Sequence, residues 1–114
     1  MTALLVTYLA GGTLLALLAI PLILGKIPPN GWYGVRVRAT LQDPALWYTV
    51  NRYAGRRLLV TGIVFDLAAV LLTLFSGLSI DAYALICLGI FSLLFAITIV
   101  QVIAFLKAAG RKRR

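Results

Sequence analysis

Three long apolar runs, Ala3 to Gly25, Leu58 to Ser76 and Tyr83 to Leu106, constrain this chain more than any motif does. Read as helices at 1.5 Å per residue, the first is about 34 Å long and the second about 28 Å. Those lengths match a hydrocarbon core of about 30 Å with some tilt. Inside a bilayer each backbone polar group must be satisfied within its own segment, so the fold class is an all-α membrane protein with three transmembrane helices. Composition agrees: 62% of the residues are hydrophobic and 12% charged, against roughly 25% charged in ordinary soluble domains.

The 114 residues form one membrane domain. The connection between the second and third spans, about Gly77 to Ala82, is short enough to make them antiparallel neighbours. The first connection, Lys26 to Arg57, is different. It carries six of the eleven Lys and Arg, both Trp and three of the five Tyr; the other five basic residues lie in the tail from Lys107 to Arg114. Loops rich in Lys and Arg stay on the cytoplasmic side. The expected topology is therefore N-terminus outside, large loop inside, short loop outside and basic tail inside. The basic residues behind the net charge of +8 are all confined to these segments and no recognition motif accompanies them, so nucleic acid is not an expected partner. The start of the chain lacks a basic n-region and a small-residue cleavage site, so the first span is read as retained.

Each span has a face of small or polar residues suited to close helix approach. The first offers Gly12, Ala16 and Ala19, with Pro21 near its end; the second offers Gly62, Asp66, Ala69 and Thr73. The third offers Gly89, Ser92 and Ala96, with Thr98 and Gln101 as a polar patch near its end. Such faces also allow self-association, and a homodimer is expected.

The large loop reads as a folded module on the membrane surface, because tethers are rich in Gly, Ser and simple charge whereas this segment is dense in aromatics and turn residues. Pro28, Pro29, Asn30 and Gly31 end the first helix and turn the chain. Val35 to Arg38 alternate, so an extended backbone places Arg36 and Arg38 on one side. Asp43 followed by Pro44 is a helix start, the carboxylate capping free N–H groups. The helix over about 43–55 carries Leu46, Val50 and Tyr53 on one face and Thr49, Arg52 and Arg56 on another, an amphipathic pattern suited to the interface plane.

Two readings of the arginines stand side by side. Arg36, Arg38, Arg52 and Arg56 either orient the loop and snorkel to lipid phosphates, or converge on a phosphate or carboxylate through their planar forks. Trp32, Tyr33, Trp47 and Tyr48 suit an interfacial belt, with ligand stacking as the second role. Asn30 and Asn51 suit turn and packing roles ahead of ligand contact. Asp66 sits near the middle of the second span, where insertion costs roughly 2.5 to 3.5 kcal/mol. It needs a partner: Thr13 or a backbone carbonyl on a neighbouring helix, or else a proton or cation relay or an arginine from the loop.

Ile27-Pro28-Pro29-Asn30, Gly34-Val35-Arg36, Thr40-Leu41, Asp43, Trp47, Asn51-Arg52 and Gly55, in this order, resemble the signature of the SdpI family. These are bacterial membrane proteins named for immunity to a secreted sporulation-delaying peptide toxin. The resemblance implies residence in the bacterial cytoplasmic membrane and protection against, or sensing of, a membrane-active peptide, with a peptide toxin and a cytoplasmic regulator as partners beside anionic lipids. The alternative is a small transporter or anionic-lipid-binding protein that uses the loop arginines and Asp66.

Enzyme activity is not expected. The chain has no His, one Cys at position 87 within an apolar run, and acids at 43, 66 and 81 assigned to a cap, a bilayer centre and the short loop. That inventory holds neither a paired-carboxylate site nor a His/Cys metal site, so no metal or cofactor is expected.

Overall fold

The computed structural model describes residues 2–75 and 77–112. Four helices follow one another: α1 (Thr2–Ile23), α2 (Arg38–Gln42), α3 (Pro44–Phe75) and α4 (Ile80–Lys112). No strand occurs among the described residues, and α1, α3 and α4 are each long and apolar enough to cross a membrane. Ser76, where the second span was expected to end, and Arg113 and Arg114 of the tail lie outside the described residues.

α3 is the central helix, with α1 and α4 on either side. Against α1 it presents glycine: a Cβ built on Gly62 would lie 2.5 Å from the Gly12 carbonyl oxygen, and one on Gly55 would lie 2.9 Å from the Ala19 carbonyl oxygen. The backbones therefore touch where the small residues meet, which gains dispersion contacts that bulkier faces forfeit. Against α4 the contact is made by larger groups. Tyr53 stacks on Phe105 at 4.1 Å between ring centroids, Phe65 meets Phe91 edge-on at 5.2 Å, and the hydroxyls of Thr61 and Thr98 pair at 2.6 Å. At the end away from the large loop, Tyr8 of α1 reaches α4, its hydroxyl donating to the Ala84 carbonyl at 2.9 Å. There Phe65, Ala69, Tyr83 and Cys87 form a buried cluster. Ser79 caps α4, its hydroxyl accepting from the Ala82 N–H at 3.2 Å, so α4 begins three residues before the expected Tyr83.

Two expectations are corrected. The interfacial helix expected over about 43–55 is not a separate element but the first part of α3, which runs unbroken through Gly55, Arg56 and Arg57. The buried or half-buried stripe Leu46, Val50, Ala54, Leu58, Thr61, Phe65 and Ala69 continues at i+4 and i+3 across the expected break. Gly55 costs about 1 kcal/mol of helix propensity, but contact with α1 outweighs it. At 32 residues α3 is about 48 Å long, so about 18 Å of it extends beyond a hydrocarbon core of about 30 Å. The second correction concerns the third span: Gly89, Ser92 and Ala96 are exposed on the outside of the bundle, and α4 packs through its aromatic and threonine side chains instead.

Candidate functional site: a capped helix collar and an intramembrane carboxyl

The large loop is tied to the extended part of α3 by a chain of hydrogen bonds. α1 ends in a Schellman arrangement, with Gly25 at φ +69°, the Lys26 N–H bonded to the Pro21 carbonyl and the Gly25 N–H to the Leu22 carbonyl. The Arg52 guanidinium lies over this turn, and a Cβ on Gly25 would sit 2.7 Å from its Nη2. A cation there faces the negative end of the α1 dipole. Trp47 then anchors the descending chain by donating its indole N–H to the Ile27 carbonyl at 2.8 Å.

Asn30 builds the turn. Its amide donates to the Pro28 carbonyl, and its oxygen accepts from the N–H groups of Trp32 and Tyr33. The Tyr33 hydroxyl donates to the Leu18 carbonyl of α1, and burial pushes that phenol above its ordinary pKa, which keeps it a donor. Gly34 at φ +101° passes against Asn51, whose side-chain oxygen would stand 2.6 Å from a Cβ there. That same oxygen accepts the Val35 N–H at 2.5 Å, while the Asn51 amide donates to the Trp47 carbonyl at 3.0 Å. Thr40, fully buried, donates to the Val35 carbonyl at 2.8 Å and accepts the Val37 N–H at 3.1 Å. Asp43 accepts from the N–H groups of Ala45 and Leu46 at the start of α3. With these partners the loop backbone satisfies its buried polar groups and holds one shape.

The residues singled out in the sequence fall into two groups. Trp47 and Asn51 are sealed in the loop core at 0% and 2% exposure, with their polar atoms consumed. Neither can touch a ligand, so for both the binding role is corrected to a scaffold role, and Trp47 does not stand in an interfacial belt. Asn30 likewise spends its side chain on the turn. Trp32, by contrast, is 80% exposed beside Tyr33, at 6.4 Å between rings.

Arg36, Arg38, Arg52 and Arg56 are all exposed but sit on separate elements. Arg36 leaves the link before α2 and donates to the Gly31 carbonyl at 2.9 Å; Arg38 opens α2. Arg52 and Arg56 lie one turn apart on α3, the pair brought together by helix geometry. The result is a collar of exposed cations at the loop end of the bundle, on a backbone tied by hydrogen bonds. Sequence reasoning missed Thr40 as the pin of the link and Gly25 as the seat of Arg52. A buried threonine two residues after a basic alternation, and a glycine just past an apolar run, were the available signals.

Asp66 faces α1 in mid-span. Thr13 donates to its Oδ2 at 3.0 Å, while Oδ1 is sealed from solvent without a hydrogen-bond partner. Gly12 gives the carboxyl its room, since any Cβ there would collide with Oδ1. Among the described residues no group of His, Cys, Asp and Glu could hold a metal ion.

No curated protein and no solved structure matches the chain. A family model does, over residues 26–107, which takes in the whole loop collar, α3 and most of α4. With more than half of its length matched, and with three membrane-crossing helices joined by the tied loop, the chain belongs to the SdpI/YfhL protein family.

Proposed function

We propose that this protein acts in immunity to, or sensing of, a membrane-active peptide, the loop collar binding an anionic group on the cytoplasmic side of a bacterial membrane. The observation that carries the reading is the hydrogen bonding beneath the collar: exposed guanidinium groups stand on a backbone pinned by Asn30, Thr40, Trp47 and Asn51. A preformed cationic surface binds without the entropy loss of ordering a slack loop. Family membership supports the immunity part, and the lysine and arginine distribution supports the orientation. Deleting the gene in its host and challenging the cells with a panel of membrane-active peptides tests it. Survival should fall for at least one peptide and return with the intact gene but not with an Arg36→Ala, Arg52→Ala copy; unchanged survival across the panel defeats the reading.

A second reading, a small transporter coupled to protons, is favoured by one specific observation, the Asp66 Oδ1 atom left without a partner inside the bundle. An unpaired carboxyl oxygen in a membrane is a costly feature, of the sort found along proton paths. Proton uptake into proteoliposomes that persists in Asp66→Asn would remove this alternative.

A further inference from the structure

A cleft of about 150 Å³ opens between α3 and α4, separate from the collar. Its polar lining is Arg57, Thr61, Thr98 and Gln101, and its apolar lining is Val60, Val64, Leu94 and Ile97. Each helix contributes an i, i+3, i+4, i+7 set, so the cleft follows the groove between two antiparallel helices. Thr61 and Thr98 satisfy each other at its floor. Arg57 and Gln101 do not share that pairing: Arg57 lies 5.9 Å from the centre of the Tyr53 ring, and neither side chain has a hydrogen-bond partner among the described residues.

Depth identifies what they face. Arg52 marks the end of α1, and Arg57 is five residues further along α3, about 7.5 Å deeper by helix rise. Gln101 lies at a similar height, one turn beyond Thr98 on α4 as Arg57 is one turn before its partner Thr61 on α3. The guanidinium leans back toward Tyr53, as a snorkelling arginine on the N-terminal side of a span does. A cation that reaches back toward the loop end and a free amide thus lie in the loop-side part of the two spans, within snorkelling reach of lipid phosphates and esters, and the apolar lining leads from them toward the bilayer centre.

We infer that this cleft is a binding site for one anionic phospholipid. Arg57 holds the phosphate oxygens, Gln101 bonds the glycerol or ester region, and an acyl chain lies along Val60, Val64, Leu94 and Ile97. At about 150 Å³ the cleft does not take up a second helix, whose diameter is about 10 Å. Arg57, the cation in its lining, favours a headgroup of net negative charge.

The test uses the full chain in mild detergent, titrated with phosphatidylglycerol or phosphatidylcholine and read by native mass spectrometry. Wild type should retain phosphatidylglycerol about fivefold more strongly, and Arg57→Gln should remove most of that preference, with Gln101→Leu losing roughly half as much on a logarithmic scale. Lys107→Gln, exposed on α4 outside the cleft, should change it little. An Arg57→Gln protein that retains lipid as wild type does, or a loss from Lys107→Gln as large as from Arg57→Gln, overturns the site. Loss in Arg36→Ala or Arg52→Ala alone would assign lipid to the collar and likewise overturn it. Should the variants fail to fold, a photoreactive phosphatidylglycerol on wild type decides: adducts within 57–64 or 94–101 support the cleft, adducts elsewhere or disulfide-trapped dimers through Val60→Cys reject it.

Discussion

α3 makes two contacts of opposite kind, and the difference shows how a small membrane bundle divides its work. Toward α1 it offers Gly55 and Gly62, and the two backbones close to a separation that admits no side chain. Toward α4 it offers Tyr53, Thr61 and Phe65, and the larger groups leave space between them, including the cleft at Arg57. Within a bilayer apolar burial gives helices little reason to associate, so packing quality and hydrogen bonds decide which contact is stronger. The glycine contact is the tight one. The aromatic contact is the looser one, with the cleft at Arg57 between its side chains.

The contrast can be broken most forcefully at Gly62. Gly62→Leu should cost at least about 3 kcal/mol, because the obstacle is the Gly12 backbone rather than a movable side chain. Reversible unfolding in mixed micelles measures it, and a variant as stable as the parent would refute direct backbone contact. Gly12→Ala should cost roughly 1 to 3 kcal/mol, since its methyl group meets the Asp66 carboxyl. Combining it with Asp66→Ala should recover part of that loss, a coupling of at least about 0.5 kcal/mol; additive effects would mean the two residues are not in contact.

On the α4 side the effects shrink. Phe105→Ala should lose about 1 kcal/mol of ring stacking on Tyr53, seen in the same unfolding assay together with a red-edge change in tyrosine absorbance. A double-mutant cycle of Thr61→Val and Thr98→Val should give about 0.6 kcal/mol, the usual worth of an interhelical hydroxyl pair. A coupling above about 2 kcal/mol would make the α3–α4 contact as specific as the glycine one and erase the contrast.

Much of this was legible in the residues. The three apolar runs, the Asp43-Pro44 helix start, the Asn30 turn and a hydrogen bond between Thr13 and Asp66 all follow from local chemistry or from the cost of an acid in lipid. The continuity of α3 was not, because a pair of arginines after a glycine reads as the end of an interfacial helix until α1 is seen to pack on that glycine. Nor was the burial of Trp47: an indole in a basic loop has the same sequence signature whether it faces headgroups or a backbone carbonyl twenty residues back. The outward placement of Gly89, Ser92 and Ala96 was equally hidden, since small residues permit close approach without compelling it.

By itself, then, the sequence determined what each segment must satisfy: hydrocarbon thickness, backbone hydrogen bonding and the confinement of basic residues to the loop and tail are requirements of single segments, readable one at a time. Tertiary structure decided which segments satisfy one another. The tie from Asn51 to Val35, the seat of Arg52 on Gly25 and the shared depth of Arg57 and Gln101 each join residues distant in the chain. Pairings of that kind depend on how closely two helices can approach, and that distance is set by both surfaces at once.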